Sequence, residues 1–153
     1  NMRKVNVAIM GLGTVGGGTY DILTENHEHI KRTQGVDVRV RRVLDRDRER
    51  VLGKGVPAEV FCESIDDIAA DKEIDIVIET MGGVEPAKTF IIKALESGKS
   101  VVTANKELIS KCWYELEPVA KAHGAGLYFE ASCVGGVPVI RTLTESMQAN
   151  RVC

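Results

Sequence analysis

The stretch VNVAIMGLGTVGGG, residues 5–18, decides how the rest of the chain is organised. Its first half is apolar and rich in β-branched residues, which is typical of a strand buried on both faces. Gly11, Gly13 and Gly16 then form the pattern G-x-G-x-x-G, and a segment compatible with a helix follows. This order predicts a tight turn whose free N–H groups, at the start of the helix, bind the pyrophosphate of a dinucleotide. A purely structural glycine turn is the alternative.

The composition is that of an ordinary globular protein. Of the 153 residues, 44% are hydrophobic and 27% are charged, and the formal net charge is -2, so nothing indicates a nucleic-acid or membrane partner. Apolar runs stay well short of the roughly 20 residues of a membrane-spanning helix. The four cysteines lack C-x-x-C spacing and are interpreted as reduced thiols of a cytoplasmic protein.

Segments with strand character alternate with segments of helical character along the chain. The predicted strands are residues 5–10, 36–45, 59–62, 74–78, 100–102 and 127–131. This alternation predicts an α/β fold built on a doubly wound parallel sheet. We expect one domain over residues 2–150. Residues 139–153 look like a helix followed by the start of another segment, which favours a piece of a longer protein.

Asp45 closes the second predicted strand. In a dinucleotide-binding fold, an acid at this position accepts hydrogen bonds from the adenosine ribose hydroxyls and favours NAD. Asp45 lies 34 residues after Gly11, whereas about 20 is usual. The polar segment 24–35 would absorb the difference as an extended helix or a loop. The alternative is that Asp45 only caps a turn.

A run of arginines surrounds Asp45 and bears on the choice of cofactor. Its members are Arg39, Arg41, Arg42, Arg46, Arg48 and Arg50. Arg46 directly follows the strand, where an arginine can hold the 2′-phosphate of NADP. A solvated basic face is the alternative. The choice between NAD and NADP therefore stays open, with a lean towards NAD or towards both.

Two charged residues at predicted strand ends require an explanation. Lys106 follows the fifth strand at the start of a helix, where its charge opposes the helix dipole. A functional cation near the nicotinamide or the substrate explains it, and an ordinary surface lysine is the alternative. Glu130 is an acid inside a predicted strand, which is unfavourable unless the carboxylate is paired or binds a cation.

Several stretches together resemble the N-terminal half of homoserine dehydrogenases. They are GLGTVGGG at 11–18, VIETMGG at 77–83, TANK at 103–106 and EASCVGGVPVI at 130–140. The resemblance covers nearly the whole chain and is far more specific than the glycine pattern alone. It implies a Rossmann-type NAD(P)-binding domain of an oxidoreductase that interconverts L-homoserine and L-aspartate 4-semialdehyde, in the biosynthesis of threonine, methionine and isoleucine.

The resemblance also implies roles for individual residues. Thr14 and Val15, with the glycine loop, would hold the pyrophosphate. Thr80 and Met81 would line the nicotinamide half of the cofactor. Thr103 and Lys106 would lie at the reaction crevice, with Lys106 near nicotinamide and substrate.

A cation site is implied as well. The Glu130 carboxylate and the backbone carbonyls of Cys133, Gly135 and Val137 match a site for a monovalent cation, usually sodium. An oxygen-rich shell of this kind suits a hard cation.

The resemblance further implies what this chain lacks. The family's substrate-binding acids, a second lysine and most of the dimer interface would lie beyond residue 153, so the full-length protein is expected to be a homodimer. This chain is expected to bind the nucleotide without turning over substrate. Another dehydrogenase of this architecture, acting on aspartate or a different semialdehyde, and a non-catalytic NAD(P)-sensing domain are the alternative functions.

Overall fold

A six-stranded parallel sheet forms the centre of the protein. The computed structural model describes residues 2–130, together with residues 142 and 145. The strands are β1 Arg3–Met10, β2 Val36–Leu44, β3 Phe61–Cys62, β4 Ile76–Glu79, β5 Ser100–Thr103 and β6 Leu127–Phe129. Their order is β3-β2-β1-β4-β5-β6, and all neighbours are parallel. This order reverses between β1 and β4, so the predicted doubly wound, Rossmann-type sheet is confirmed.

Helices cover both faces of the sheet. They are α1 Thr14–Glu25, α2 His27–Gln34, α3 Arg48–Gly53, α4 Ile65–Ala69, α5 Ala87–Glu96 and α6 Lys106–Ala122. Ala8 and Met10 of β1 belong to the core formed with α4, α5 and α6. Val7 and Ile9 point to the opposite core, with Leu23 of α1 and Ile30 of α2. Because β1 is buried on both faces, its sequence is apolar without alternation.

The connection between β1 and β2 consists of two consecutive helices. The helix α1 ends at Glu25 with Asn26 as its C-cap, and α2 follows directly and ends at Gln34. Its C-cap is Gly35, which has a left-handed conformation with a φ of 68°. The second helix accounts for the long separation between Gly11 and Asp45. Of the two expectations for residues 24–35, an extended helix or a loop, the helix is observed, interrupted once at Asn26.

Side-chain caps begin two of the predicted helices. The Ser64 side chain accepts the N–H of Asp66 at the start of α4. The Asn105 side chain accepts the N–H of Leu108 at the start of α6. Both caps satisfy a backbone donor that has no partner within the helix.

Several strands are shorter than the sequence predicts. The segment at 59–62 forms a strand only at Phe61 and Cys62, because the N–H of Val60 closes a turn onto the Pro57 carbonyl. The last strand ends at Phe129, and the predicted domain end at residue 150 lies outside the described residues. Within residues 2–130, no helix combines the length and apolar character needed to cross a membrane.

Candidate functional site

The carboxyl ends of the strands bring the predicted site residues to one edge of the sheet. The segments that leave this edge are residues 11–13 after β1, 45–47 after β2, 80–86 after β4 and 104–105 after β5. Gly13 and Lys106 therefore lie at the same edge, on either side of the point where the strand order reverses. In open parallel sheets, ligands bind at this position.

The glycine loop leaves the start of α1 open. Gly11 has a φ of +94°, and its N–H donates to the Leu44 carbonyl over 2.8 Å. Gly13 precedes the helix and is exposed, and a Cβ built on it would meet no atom within 4 Å. The N–H groups of Thr14, Val15 and Gly16 begin the helix, where no intrahelical acceptor exists. The approach to Gly13 is thus open, beside N–H groups that have no acceptor within the helix.

Gly16 is where α1, the glycine loop and the end of β4 meet. A Cβ on Gly16 would lie 1.9 Å from the Gly11 carbonyl oxygen and 2.6 Å from Thr80 Oγ1. The Thr80 hydroxyl donates to the Gly11 carbonyl over 2.7 Å, and Met81 packs against Gly11. Thr80 and Met81 therefore lie directly beside the loop. Their predicted contacts with the nicotinamide half remain predictions.

Asp45 is a buried carboxylate that holds the glycine loop. It is 8% exposed. Its Oδ2 accepts the N–H of Leu12 over 2.8 Å and a guanidinium N–H of Arg50 over 2.6 Å, and its Oδ1 accepts the N–H of Asp47 over 2.9 Å. Burial alone would raise the pKa of Asp45, but the donors from Asp47, Leu12 and Arg50 together hold that pKa below its ordinary value.

These contacts bear on the role predicted for Asp45. The bond from the Asp47 N–H is the turn cap that the sequence offered as the alternative. A ribose contact stays a prediction. With three donors bound in the described part of the chain, the carboxylate has fewer lone pairs left for ribose hydroxyls.

Two basic side chains line a cavity of about 530 Å³ beside the glycine loop. Its lining residues are Leu12, Gly13, Thr14, Gly17, Gly18, Asp21, Arg50 and Lys54. Lys54 Nζ lies 3.0 Å from Asp21 Oδ2, and Lys54 Cε would lie 3.2 Å from a Cβ on Gly17. Gly17 therefore leaves room for the Lys54 stem over the first turn of α1. The sequence contained no local signal for Lys54.

The run of arginines divides into different environments. Arg39 and Arg41 form ion pairs with Asp37 and Asp71, at 3.0 and 2.6 Å. Arg48 lies over the Phe61 ring, 5.7 Å from its centroid. Arg46 is exposed beside Asp45, so its predicted contact with a 2′-phosphate stays a prediction.

Glu79 is a fully buried acid that the sequence interpretation overlooked. It ends β4 with no exposed surface. Its Oε1 accepts the Thr103 hydroxyl over 2.5 Å, and its Oε2 accepts the Met81 N–H over 2.8 Å. The Gly82 N–H and Asn105 Nδ2 make longer contacts with Oε2, at 3.4 and 3.5 Å. The available signal was an acid directly after a buried apolar strand.

Lys106 is the first residue of α6 and is exposed at the carboxyl edge of the sheet. Asn105 precedes it as the helix cap, and Glu107 follows it in the first turn. The predicted position of Lys106 is thus observed. Its role near nicotinamide and substrate stays a prediction.

Glu130 follows β6 at the same edge. Its N–H donates to the Thr103 carbonyl over 2.9 Å, and the residue is half-buried. The other predicted cation ligands, Cys133, Gly135 and Val137, lie outside the described residues. The sodium site is therefore still a prediction.

Comparison with known proteins identifies relatives that match most of the chain. Residues 11–130 match the family model described as "Homoserine dehydrogenase, NAD binding domain". The chain is 39% identical over 151 residues to homoserine dehydrogenase of Bacillus subtilis, covering 99% of this chain and 35% of that protein. It is 40% identical over 151 residues to the Lactococcus lactis enzyme, covering 97% and 35%. The chain thus spans about a third of the length of these relatives.

Solved structures show the same similarity. A homoserine dehydrogenase from Thiobacillus denitrificans matches 97% of this chain and 34% of its own, with 40% identity and a TM-score of 0.79. A hyperthermophilic archaeal homoserine dehydrogenase in complex with NADPH matches 84% of this chain and 44% of its own, with 29% identity and a TM-score of 0.67.

Proposed function

This chain belongs to the homoserine dehydrogenase family, whose NAD-binding domain it matches, and we propose that it is the nucleotide-binding part of an enzyme that interconverts L-homoserine and L-aspartate 4-semialdehyde with NAD(P)(H). The observation that carries the proposal is the open glycine loop at the strand-order reversal, at the same edge of the sheet as Lys106. The nicotinamide supplies the hydride chemistry when it is bound. The residues of this chain bind the nucleotide and orient it for the reaction.

The pyrophosphate belongs on the start of α1. Thr14, Val15 and Gly16 offer backbone N–H groups there, and the helix dipole favours negative charge at the same place. Gly13 leaves the approach open because no Cβ occupies it. In this orientation the adenosine end lies towards Asp45 and α3, and the nicotinamide end lies towards the segment that follows β4.

We propose that the domain accepts both NAD and NADP. Asp45 is already bound by Leu12, Asp47 and Arg50, which reduces the repulsion it exerts on a 2′-phosphate. Arg50 and Lys54 line the cavity beside the loop and add positive charge where that phosphate would lie. The archaeal relative bound to NADPH supports the acceptance of NADP.

Lys106 is proposed to contact the substrate oxygen. Oxidation of an alcohol removes a hydride from carbon and a proton from oxygen. An ammonium group held beside that oxygen stabilises the negative charge that develops on it. The exposure of Lys106 at the carboxyl edge leaves it available for this contact.

Three further parts of the proposal concern the full-length protein. A sodium ion on Glu130 is supported by the position of this acid at the carboxyl edge. A cytoplasmic location is supported by the free thiols of Cys62 and Cys112, both buried. The homodimer is supported by family membership, and sedimentation velocity of the full-length protein tests it.

The test combines a measurement of dehydrogenase activity with a measurement of nucleotide binding. The full-length protein should oxidise L-homoserine with NAD or NADP, and this chain alone should bind either nucleotide without turnover. Activity only on another substrate would assign a different dehydrogenase. Nucleotide binding without any dehydrogenase activity of the full-length protein would assign a sensing domain instead.

A further inference from the structure

We propose that Glu79 is a positioning residue that fixes the two sides of the reaction crevice relative to each other. The inference rests on the proposed function, since it concerns how Lys106 is held beside the nicotinamide. Glu79 itself has no exposed surface, so it does not touch a ligand in the crevice. Its effect must pass through the groups that bind its carboxylate.

One side of the crevice is the segment after β4. The N–H groups of Met81 and Gly82 both point at Oε2 of Glu79, at 2.8 and 3.4 Å. A buried carboxylate with such donors keeps them in one orientation, because an unpaired buried charge is strongly unfavourable. Glu79 therefore fixes the orientation of the Met81 and Gly82 backbone, which faces the nicotinamide end of the proposed site.

The other side is the start of α6. Thr103 donates its hydroxyl to Glu79 and accepts the N–H of Asn105 over 3.0 Å. The Asn105 side chain accepts the Leu108 N–H over 3.1 Å and donates to the Gly83 carbonyl over 2.5 Å. Lys106 follows Asn105 directly, so the backbone that carries it is fixed by this chain of bonds.

Glu79 thus joins residues that are separated by more than twenty positions in the sequence. The Thr103 hydroxyl and the N–H groups of Met81 and Gly82 all donate to the Glu79 carboxylate. Asn105, the cap of α6, is bound in turn to Thr103 and to the Gly83 carbonyl. An alternative role for Thr103 is direct contact with the nucleotide, but the residue has no exposed surface in this structure. The geometry favours a role for Thr103 through Glu79.

The test uses the full-length enzyme, first shown to oxidise L-homoserine. Absence of wild-type activity would count against the proposed function and not against this inference. The variant Thr103→Val removes the hydroxyl at nearly constant volume, and Thr103→Ser keeps it. Thr89→Val is the matched control, because Thr89 also donates its hydroxyl to a glutamate, Glu85, over 2.8 Å, but at an exposed site.

We expect Thr103→Val to lower kcat by about 10- to 100-fold, the scale of a small misplacement of reacting groups. The dissociation constant of the nucleotide should change by less than about threefold, the KM for L-homoserine should change little, and Thr103→Ser should recover most of the lost rate. Thr89→Val should remain within about twofold of the wild type. Retained nucleotide binding shows that the variants are folded.

A double-variant cycle with Glu79→Gln separates the possible pathways. If Thr103 acts through Glu79, the double variant should be no slower than the slower single variant. Multiplicative losses in kcat would overturn the proposal, as would wild-type kcat in Thr103→Val. A loss confined to nucleotide affinity would assign the hydroxyl to direct cofactor binding and would also overturn it.

Discussion

Leu12 donates its backbone N–H to Asp45 Oδ2 over 2.8 Å, which ties the glycine loop after β1 to the end of β2. The bond joins residues 33 positions apart. It holds the loop in place before any ligand binds. Asp45 therefore shapes the proposed pyrophosphate site whether or not it also reaches the ribose.

Replacing Asp45 should reveal this contact in the pH dependence of stability. The pKa of Asp45 is lower in the folded protein than its ordinary value, so its contribution is present above the unfolded pKa of about 3.9 and is lost as pH falls through the folded pKa. Asp45→Asn should lower the free energy of unfolding by about 1–3 kcal/mol at pH 7. Urea unfolding at pH 7 and at pH 3 should show this difference shrinking. A difference that is equal at both pH values would contradict the assignment.

Gly16→Ala should damage both stability and nucleotide binding. The added Cβ would lie 1.9 Å from the Gly11 carbonyl oxygen, so the backbone must move, at a cost of about 1–3 kcal/mol or more. Gly18→Ala is the matched control, because a Cβ there meets nothing within 4 Å. It should stabilise α1 by about 0.5–1 kcal/mol. Thermal unfolding measures the stability of the two variants, and calorimetric titration with NAD measures the loss of nucleotide binding in Gly16→Ala. Equal melting temperatures would refute the packing argument.

Lys54→Met should weaken the binding of NADP much more than the binding of NAD. Loss of the charged group proposed to contact the 2′-phosphate should weaken NADP binding by about tenfold or more, and NAD affinity should change by less than about twofold. Lys121→Met, at an exposed position near the end of α6, is the control. Calorimetric titration at fixed ionic strength compares them. Equal losses for both nucleotides would place Lys54 at the pyrophosphate or the ribose instead.

Lys106→Met in the full-length enzyme should remove activity and retain nucleotide binding. We expect kcat/KM for L-homoserine to fall about 100-fold or more, the typical effect of losing one group that stabilises developing charge. Lys111→Met is the control on the same helix, since Lys111 is exposed and pairs with Glu107. Steady-state kinetics with both variants measures this. Unchanged kcat/KM in Lys106→Met would show that the lysine is an ordinary surface residue.

Much of the fold was predictable because the signals are local. The apolar run of β1 followed by three spaced glycines determines a strand, a turn and a helix start within a few residues. Asn105 and Ser64 act as caps through bonds only two or three residues along the chain. Once the sheet is parallel, all strand ends share one edge. Gly13 and Lys106 could therefore be placed together before the structure was known.

The rest depends on contacts between distant parts of the chain. The role of Glu79 could not be read from the sequence, because only the register of β4 against β5 places Thr103 beside it. Lys54 contacts Asp21, which lies 33 residues earlier in the sequence, and no periodic pattern predicts that contact. The sequence predicted that Asp45 binds the ribose of the cofactor. In the structure, Leu12, Asp47 and Arg50 use much of its hydrogen-bonding capacity. Hydropathy patterns report burial but not which polar partners lie at the buried position.

The most direct test of the central claim is calorimetric titration of this chain with NADPH, comparing the wild type with Gly13→Ala. The added methyl group meets no protein atom, so melting temperature should be unchanged. It should nevertheless occupy the approach of the pyrophosphate to the start of α1 and weaken NADPH by about tenfold or more, equivalent to about 1.4 kcal/mol. Equal affinity of the two proteins for NADPH would contradict binding at the glycine loop.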